Sequence, residues 1–111
     1  DCRFDCTQED GVDDLWIGAD AIVTNIRRSF ETAVTVHHPH TSEIDILGPD
    51  RAKGIWAMQD LLRFPGDPIV EITGYGHYHE EYRKEADGRW RVSSFKLTRL
   101  RTDVVTRPLS A

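Results

Sequence analysis

Apolar and polar positions alternate with a period of two along most of this chain, a pattern that predicts a protein built mainly from strands. Cys2, Phe4 and Cys6 fall on one side of a short strand spanning 2–7, and the polar stretch Gln8 to Asp14 reads as a loop. The period lengthens between Asp20 and Glu31, where Ile22, Ile26 and Phe30 recur every fourth position with Val23 beside them, so one amphipathic helix is expected there. Thr32 to His38 is rich in β-branched residues and predicts a strand, and Glu43 to Leu47 alternates again. Gly48-Pro49-Asp50 and Pro65-Gly66-Asp67-Pro68 are turn sequences, and Asp87-Gly88 is a hairpin turn. Arg51 to Arg63 has a composition that suits a helix, but Gly54 disfavours one. As a strand it places Trp56, Met58, Asp60 and Leu62 on one face. Ile69 to Lys84 is a long strand whose Gly74 and Gly76 predict a bend or bulge. Arg89 to Arg101 is its return, and its apolar set changes register across Ser93-Ser94, the mark of a second bulge. From Thr106 a loose tail is expected. One helix followed by consecutive hairpins gives an α+β fold: a strongly bent antiparallel sheet with the helix on its concave face and a pocket between them.

At 111 residues the chain suits one domain, and 39% hydrophobic content excludes wholesale disorder. The net charge of −5 argues against a nucleic-acid partner. The late basic stripe of Arg89, Arg91, Lys96, Arg99, Arg101 and Arg107 reads as a solvated strand face. No apolar run approaches about 18 residues, so no membrane span is expected, and no signal peptide is visible. On a strand Cys2 and Cys6 stand roughly 13 Å apart, beyond the ~7 Å that a disulfide tolerates. Two unpaired thiols fit a reducing, cytoplasmic setting. The first residue is Asp1, not Met, which points to a trimmed or processed piece.

All five histidines fall in two clusters: His37, His38 and His40, then His77 and His79. Strand alternation turns His77 and His79 the same way, puts His38 and His40 together, and turns His37 to the opposite face. Three readings compete: a general base, since imidazole exchanges protons near neutral pH; a metal ligand set; or histidines that merely hydrogen-bond in a sheet or meet solvent. A cupin-type metal set requires glycine where Thr32 stands and a glutamate beyond Glu43, so no metal is expected.

The segments TVHHPHTSEIDILGPDRAKGIWAMQDLL (35–62) and GYGHYHEEYRKEADGRWRVSSFKLTRLR (74–101) resemble the SnoaL-like branch of the nuclear transport factor 2-like superfamily, above all its dehydratases. The resemblance covers residues 1 to about 105. It implies a cone of strongly bent sheet, no cofactor, and a small-molecule substrate. By position it implies that His37 is the base, that Asp60 is a pocket aspartate, and that Arg99 or Arg101 is a pocket arginine. His77 and His79 would hold substrate through water. These families begin with helices that cap the cone and supply a tyrosine and an aspartate. Here the sequence starts at the first strand, which implies a SnoaL-like domain over 1–105 that is incomplete at its N-terminus, with a tail at 106–111.

The reaction expected from that likeness is cofactor-independent water loss from a polycyclic or aromatic hydroxy-carbonyl compound. His37 moves the proton, Asp60 holds the ring, and Arg99, Arg101 or His79 steadies the enolate. Trp56, Met58 and Leu62 form an apolar wall, or simply core. An isomerase or polyketide cyclase of the same fold, and a non-catalytic ligand-binding or assembly module, remain alternatives. A homo-oligomer, dimer or trimer, is expected through the outer sheet face, with Val70, Ile72, Tyr78 and Leu100 as contacts.

Overall fold

The computed structural model describes residues 2–5 and 15–109. The expectations for Cys6 and for the loop Gln8 to Asp14 lie outside the described residues. Six strands and one helix follow in the order β1 (Arg3–Asp5), β2 (Leu15–Ile17), α1 (Ala19–Ser29), β3 (Val34–Ile46), β4 (Arg51–Phe64), β5 (Ile69–Lys84) and β6 (Trp90–Arg107). They form one curved, unclosed sheet in the order β2-β1-β6-β5-β4-β3. The pairing is antiparallel except between β1 and β6, which run parallel. The sheet is therefore mixed, where the run of hairpins predicts an antiparallel one. Among the described residues no helix is long and apolar enough to cross a membrane.

Two expected strands, Thr32 to His38 and Glu43 to Leu47, are one strand, β3. Pro39 does not end it, because β3 is an edge strand and the proline stands at a bulge, the two places where a sheet tolerates one. The register with β4 slips between Pro39 and Ser42 instead. The return strand β6 also runs on to Arg107, which pairs with Ile69.

Even-numbered residues of β4 face the helix. Ala52, Gly54, Met58, Asp60 and Leu62 are buried, while their odd-numbered neighbours are not. Their partners on β5 are Tyr82, Glu80, Gly76, Gly74 and Ile72. The core gathers at one end of this concave face, where Phe4, Ile22, Met58 and Leu97 meet. Phe4 stacks on Phe95 at 4.1 Å and meets Trp16 edge-on at 5.5 Å. The helix touches this core through Ile22, whereas Val23 and Ile26 are exposed. Replacing Ile22 by valine removes one buried methylene and is expected to cost about 0.5–1.5 kcal/mol, read as a lower urea midpoint. A cost near zero would mean that the helix is not docked there.

The radius of gyration is 16.2 Å, against about 13 Å for a compact domain of this length. The long strands β3 to β6 extend well past the core, leaving Ile44, Ile46 and Val104 of the concave face exposed.

At the far hairpin, Gly88 takes φ +80°, a conformation that favours glycine. Asp87 accepts hydrogen bonds from the Arg89 amide at 3.0 Å and from both terminal nitrogens of Arg91. The Arg91 bonds foremost, and the amide next, lower the Asp87 carboxyl from 3.8 to about 2. A depressed folded-state value stabilises the fold above the unfolded value. The hairpin contribution is thus expected to be complete above about pH 4 and to vanish as pH falls toward 2. Carboxyl NMR titration of Asp87 checks the midpoint, and a normal midpoint would contradict it.

Candidate functional site

His37 of β3 stands opposite Asp60 of β4, which stands opposite Gly74 of β5, so three adjacent strands put these residues in one row on the concave face. Arg99 of β6, opposite Gly76, belongs to the same face. Its two terminal nitrogens donate to the two oxygens of Asp60 at 3.0 and 2.8 Å, a bidentate ion pair. The Asp60 side chain is 3% exposed and that of Arg99 14%. The Nε2 atom of His37 lies 3.9 Å from Oδ2 of Asp60, with its ring 40% exposed. One carboxylate is thus shared: fully engaged by arginine inside, and within about 1 Å of hydrogen-bond range of the imidazole outside.

Gly74 makes this arrangement fit. A Cβ at that position would collide with Nη1 of Arg99 and Oδ1 of Asp60. The ion pair lies directly on the backbone of β5, and any side chain would lift it off.

Arg99 and Arg101 are separated by one residue, so a regular strand would turn both to one face. The register of β5 with β6 instead shifts between Tyr75, which pairs with Arg101, and Gly76, which pairs with Arg99. Leu100 is the extra residue, 77% exposed. The bulge sends Arg101 to the reverse face, where it binds Asp103 and lies over the Tyr75 ring at 5.8 Å. The glycines predict this bulge; which arginine it selects follows only from the register.

His77 and His79 do not share a face with His37. They pair opposite Ala57 and Ile55, on the reverse face, and Nε2 of His79 hydrogen-bonds Oγ1 of Thr98 at 2.9 Å. Odd positions of β5 pair with odd positions of β4 along its whole length and turn that way, so the role expected of these two histidines has no geometry behind it. The same parity corrects the outer-face set: Val70, Ile72 and Tyr78 have the parity of the concave face, Tyr78 packs on the core, and only Leu100 lies outside.

Trp56, Met58 and Leu62 do share the face of Asp60. Met58 belongs to the core, and Leu62 is 8% exposed. The indole of Trp56 donates to Oη of Tyr82 at 2.7 Å, and Tyr82 donates to Glu80. Burial first, and the Glu80 bond second, push the Tyr82 phenol above its usual range. This chain of hydrogen bonds escapes sequence reading, although Glu80 and Tyr82 have the parity of Gly74 and Gly76. Two rings also come near the imidazole unforeseen: Phe30 stands 6.4 Å from His37 and 6.5 Å from Phe64, edge-on to the first.

On the reverse face a cleft of about 750 Å³ opens, lined among others by Asp45, Lys53, His79, Glu81 and Lys96. Its walls alternate in sign across neighbouring strands, Asp45 beside Lys53 and Lys53 beside Glu81, so the charges answer one another. His37 does not point into it. Among the described residues no group of three or more potential ligands is placed to hold a metal ion.

The sequence matches the model of the SnoaL-like domain over residues 1–96. The chain belongs to the SnoaL-like family. It is 32% identical over 88 residues to the probable cyclase FGR4 of Gibberella zeae, covering 77% of this chain and 57% of that protein. The SnoaL-like chain thus spans little more than half the length of that relative. Among solved structures it resembles a type 2 hexachlorocyclohexane dehydrochlorinase, with TM-score 0.77 and 15% identity over 95% of this chain and 68% of that one. A protein of Kribbella flavida, Kfla4162, gives TM-score 0.78 at 23% identity, covering 92% and 71%. A scytalone dehydratase candidate from Novosphingobium aromaticivorans gives 0.75 at 19%, covering 100% and 74%. At such identities the likeness is one of fold: an α+β cone with one helix on a curved sheet.

Proposed function

We propose that this SnoaL-like domain is a cofactor-independent proton-transfer catalyst acting on a small aromatic or polycyclic hydroxy-carbonyl compound, with His37 as general base. The observation that carries this reading is the half-exposed imidazole backed by a buried carboxylate, beside Phe30 on a face otherwise largely apolar. A neutral imidazole removes the proton from the carbon next to the carbonyl. The C–H electron pair moves to the carbonyl oxygen as an enolate. When the enolate collapses, the C–O bond to the neighbouring carbon breaks, and the departing hydroxyl takes the proton from imidazolium and leaves as water. Asp60 holds the positive ring and Arg99 holds Asp60, so both are positioning residues.

The similarity to a cyclase supports a second reading, in which the same enolate attacks a carbonyl within the substrate. Both share the first step. Incubation with aromatic hydroxy-ketones in D₂O tests them together: deuterium entering the acidic carbon with loss of water supports the dehydratase, and deuterium without water loss supports the cyclase or an isomerase. Binding without any exchange would leave a ligand-binding module and overturn the catalytic reading.

A further inference from the structure

An arginine on the floor of a hollow ordinarily receives anions, because its planar fork matches carboxylate and phosphate. Here two of its five N–H donors are already committed to one carboxylate. Both terminal nitrogens of Arg99 are on Asp60, and the pair is nearly closed to water. The pair rests on Gly74, with no room beneath into which either member can retreat. The other charged strand residue described on the concave face with a fixed partner is Glu80, which is itself negative and bound by Tyr82. The cations nearest in sequence to Phe30, Arg27 and Arg28, are exposed on the last turn of the helix.

We propose that Asp60 is a charge filter: by holding the guanidinium of Arg99 it makes the sheet face beside His37 a site for uncharged ring compounds and closes it to carboxylates and similar small anions. This deepens the reading above and rests on it in one respect, that ligand binds beside His37. An arriving carboxylate has two places to go. It takes Arg99 from Asp60 and leaves a buried carboxylate without a counter-charge, which is strongly unfavourable. Or it sits beside Asp60 as a second negative charge, which like-charge repulsion opposes. A neutral ring meets neither cost and gains the edges of Phe30 and Phe64 and the Leu62 side of the wall.

The probes are 2-naphthol and 2-naphthoate, which share a ring system and differ in charge. Each is titrated into the wild-type chain and into Asp60→Asn by calorimetry, with the His37 ring protons followed by NMR to locate the ligand. The wild type is expected to bind naphthol at least about tenfold tighter than naphthoate, a difference of about 1.4 kcal/mol, with the His37 signals moving. Asp60→Asn removes the charge from the bidentate pair and is expected to erase or invert that ratio, and adding Arg99→Met is expected to remove the naphthoate gain. A merely structural role for Asp60 weakens both ligands alike. Should Asp60→Asn not fold, the wild-type ratio decides alone. Equal or tighter binding of naphthoate, no binding of either probe, or binding that leaves His37 undisturbed overturns the proposal. Tight naphthoate binding together with intact His37-dependent deuterium exchange sinks the filter and spares the proton-transfer reading.

Discussion

Replacing Asp60 by alanine is expected to destabilise the fold by about 3–5 kcal/mol. The loss arises from what stays behind. The Arg99 side chain is 14% exposed, and its terminal nitrogens both spend a hydrogen bond on this carboxylate. Without it a guanidinium remains in a mostly closed site with donors that water reaches poorly. Equilibrium urea unfolding of the two proteins measures the difference. The double replacement Asp60→Ala/Arg99→Met removes the guanidinium as well and is expected to recover most of the loss, since an ion pair exchanged for apolar groups costs little. A single variant that loses less than about 1 kcal/mol, within the range of an ordinary exposed position, would show that the pair is solvated.

Replacing His37 by alanine is expected to slow deuterium exchange into substrate by about 100- to 10,000-fold, the usual worth of a positioned base. Stability is expected to change by no more than about 0.5 kcal/mol, because the side chain is 40% exposed. That contrast separates the two predictions: Asp60 is held mainly for the fold and acts on the chemistry through His37, whereas His37 is nearly free of structural duty. An unchanged exchange rate in His37→Ala would remove the base from the mechanism whatever happens to stability.

The parts of this molecule that depend on local pattern were legible in the sequence. The parity of β4, the helix itself and the slip at Ser93 between Glu81 and Tyr82 agree with the coordinates, but of the expected helix stripe only Ile22 is buried, while Val23 and Ile26 are exposed. The link between His37 and Asp60 comes from the family resemblance, since alternation fixes no register between strands, and the coordinates set the two residues opposite each other. What depends on distant partners was not legible. Leu15–Ile17 is too short to show a period, and it is a strand because Arg3 to Asp5 pairs with it. The parallel contact of β1 with β6 joins residues about ninety positions apart, and no local signal carries it. The continuity of β3 through Pro39 depends on its edge position, a property of the sheet. The resemblance puts His77 and His79 in the pocket by position along the chain, and position alone does not say which face a strand turns inward.

The extra residue at position 100 has a consequence for chain length. Between the bulge at Ser93 and this one, odd numbers look toward the helix; after it, even numbers do. Excising Leu100 would preserve that partition, because Arg99 and Arg101 would become immediate neighbours and still point apart. Ironing the strand flat with all residues kept would bring both guanidiniums to the same side, a second positive charge next to the carboxylate that one already satisfies. Loss of a residue here is therefore gentler on the chemistry than loss of the kink, and related chains that differ by one residue in this strand can keep the same arginine in place.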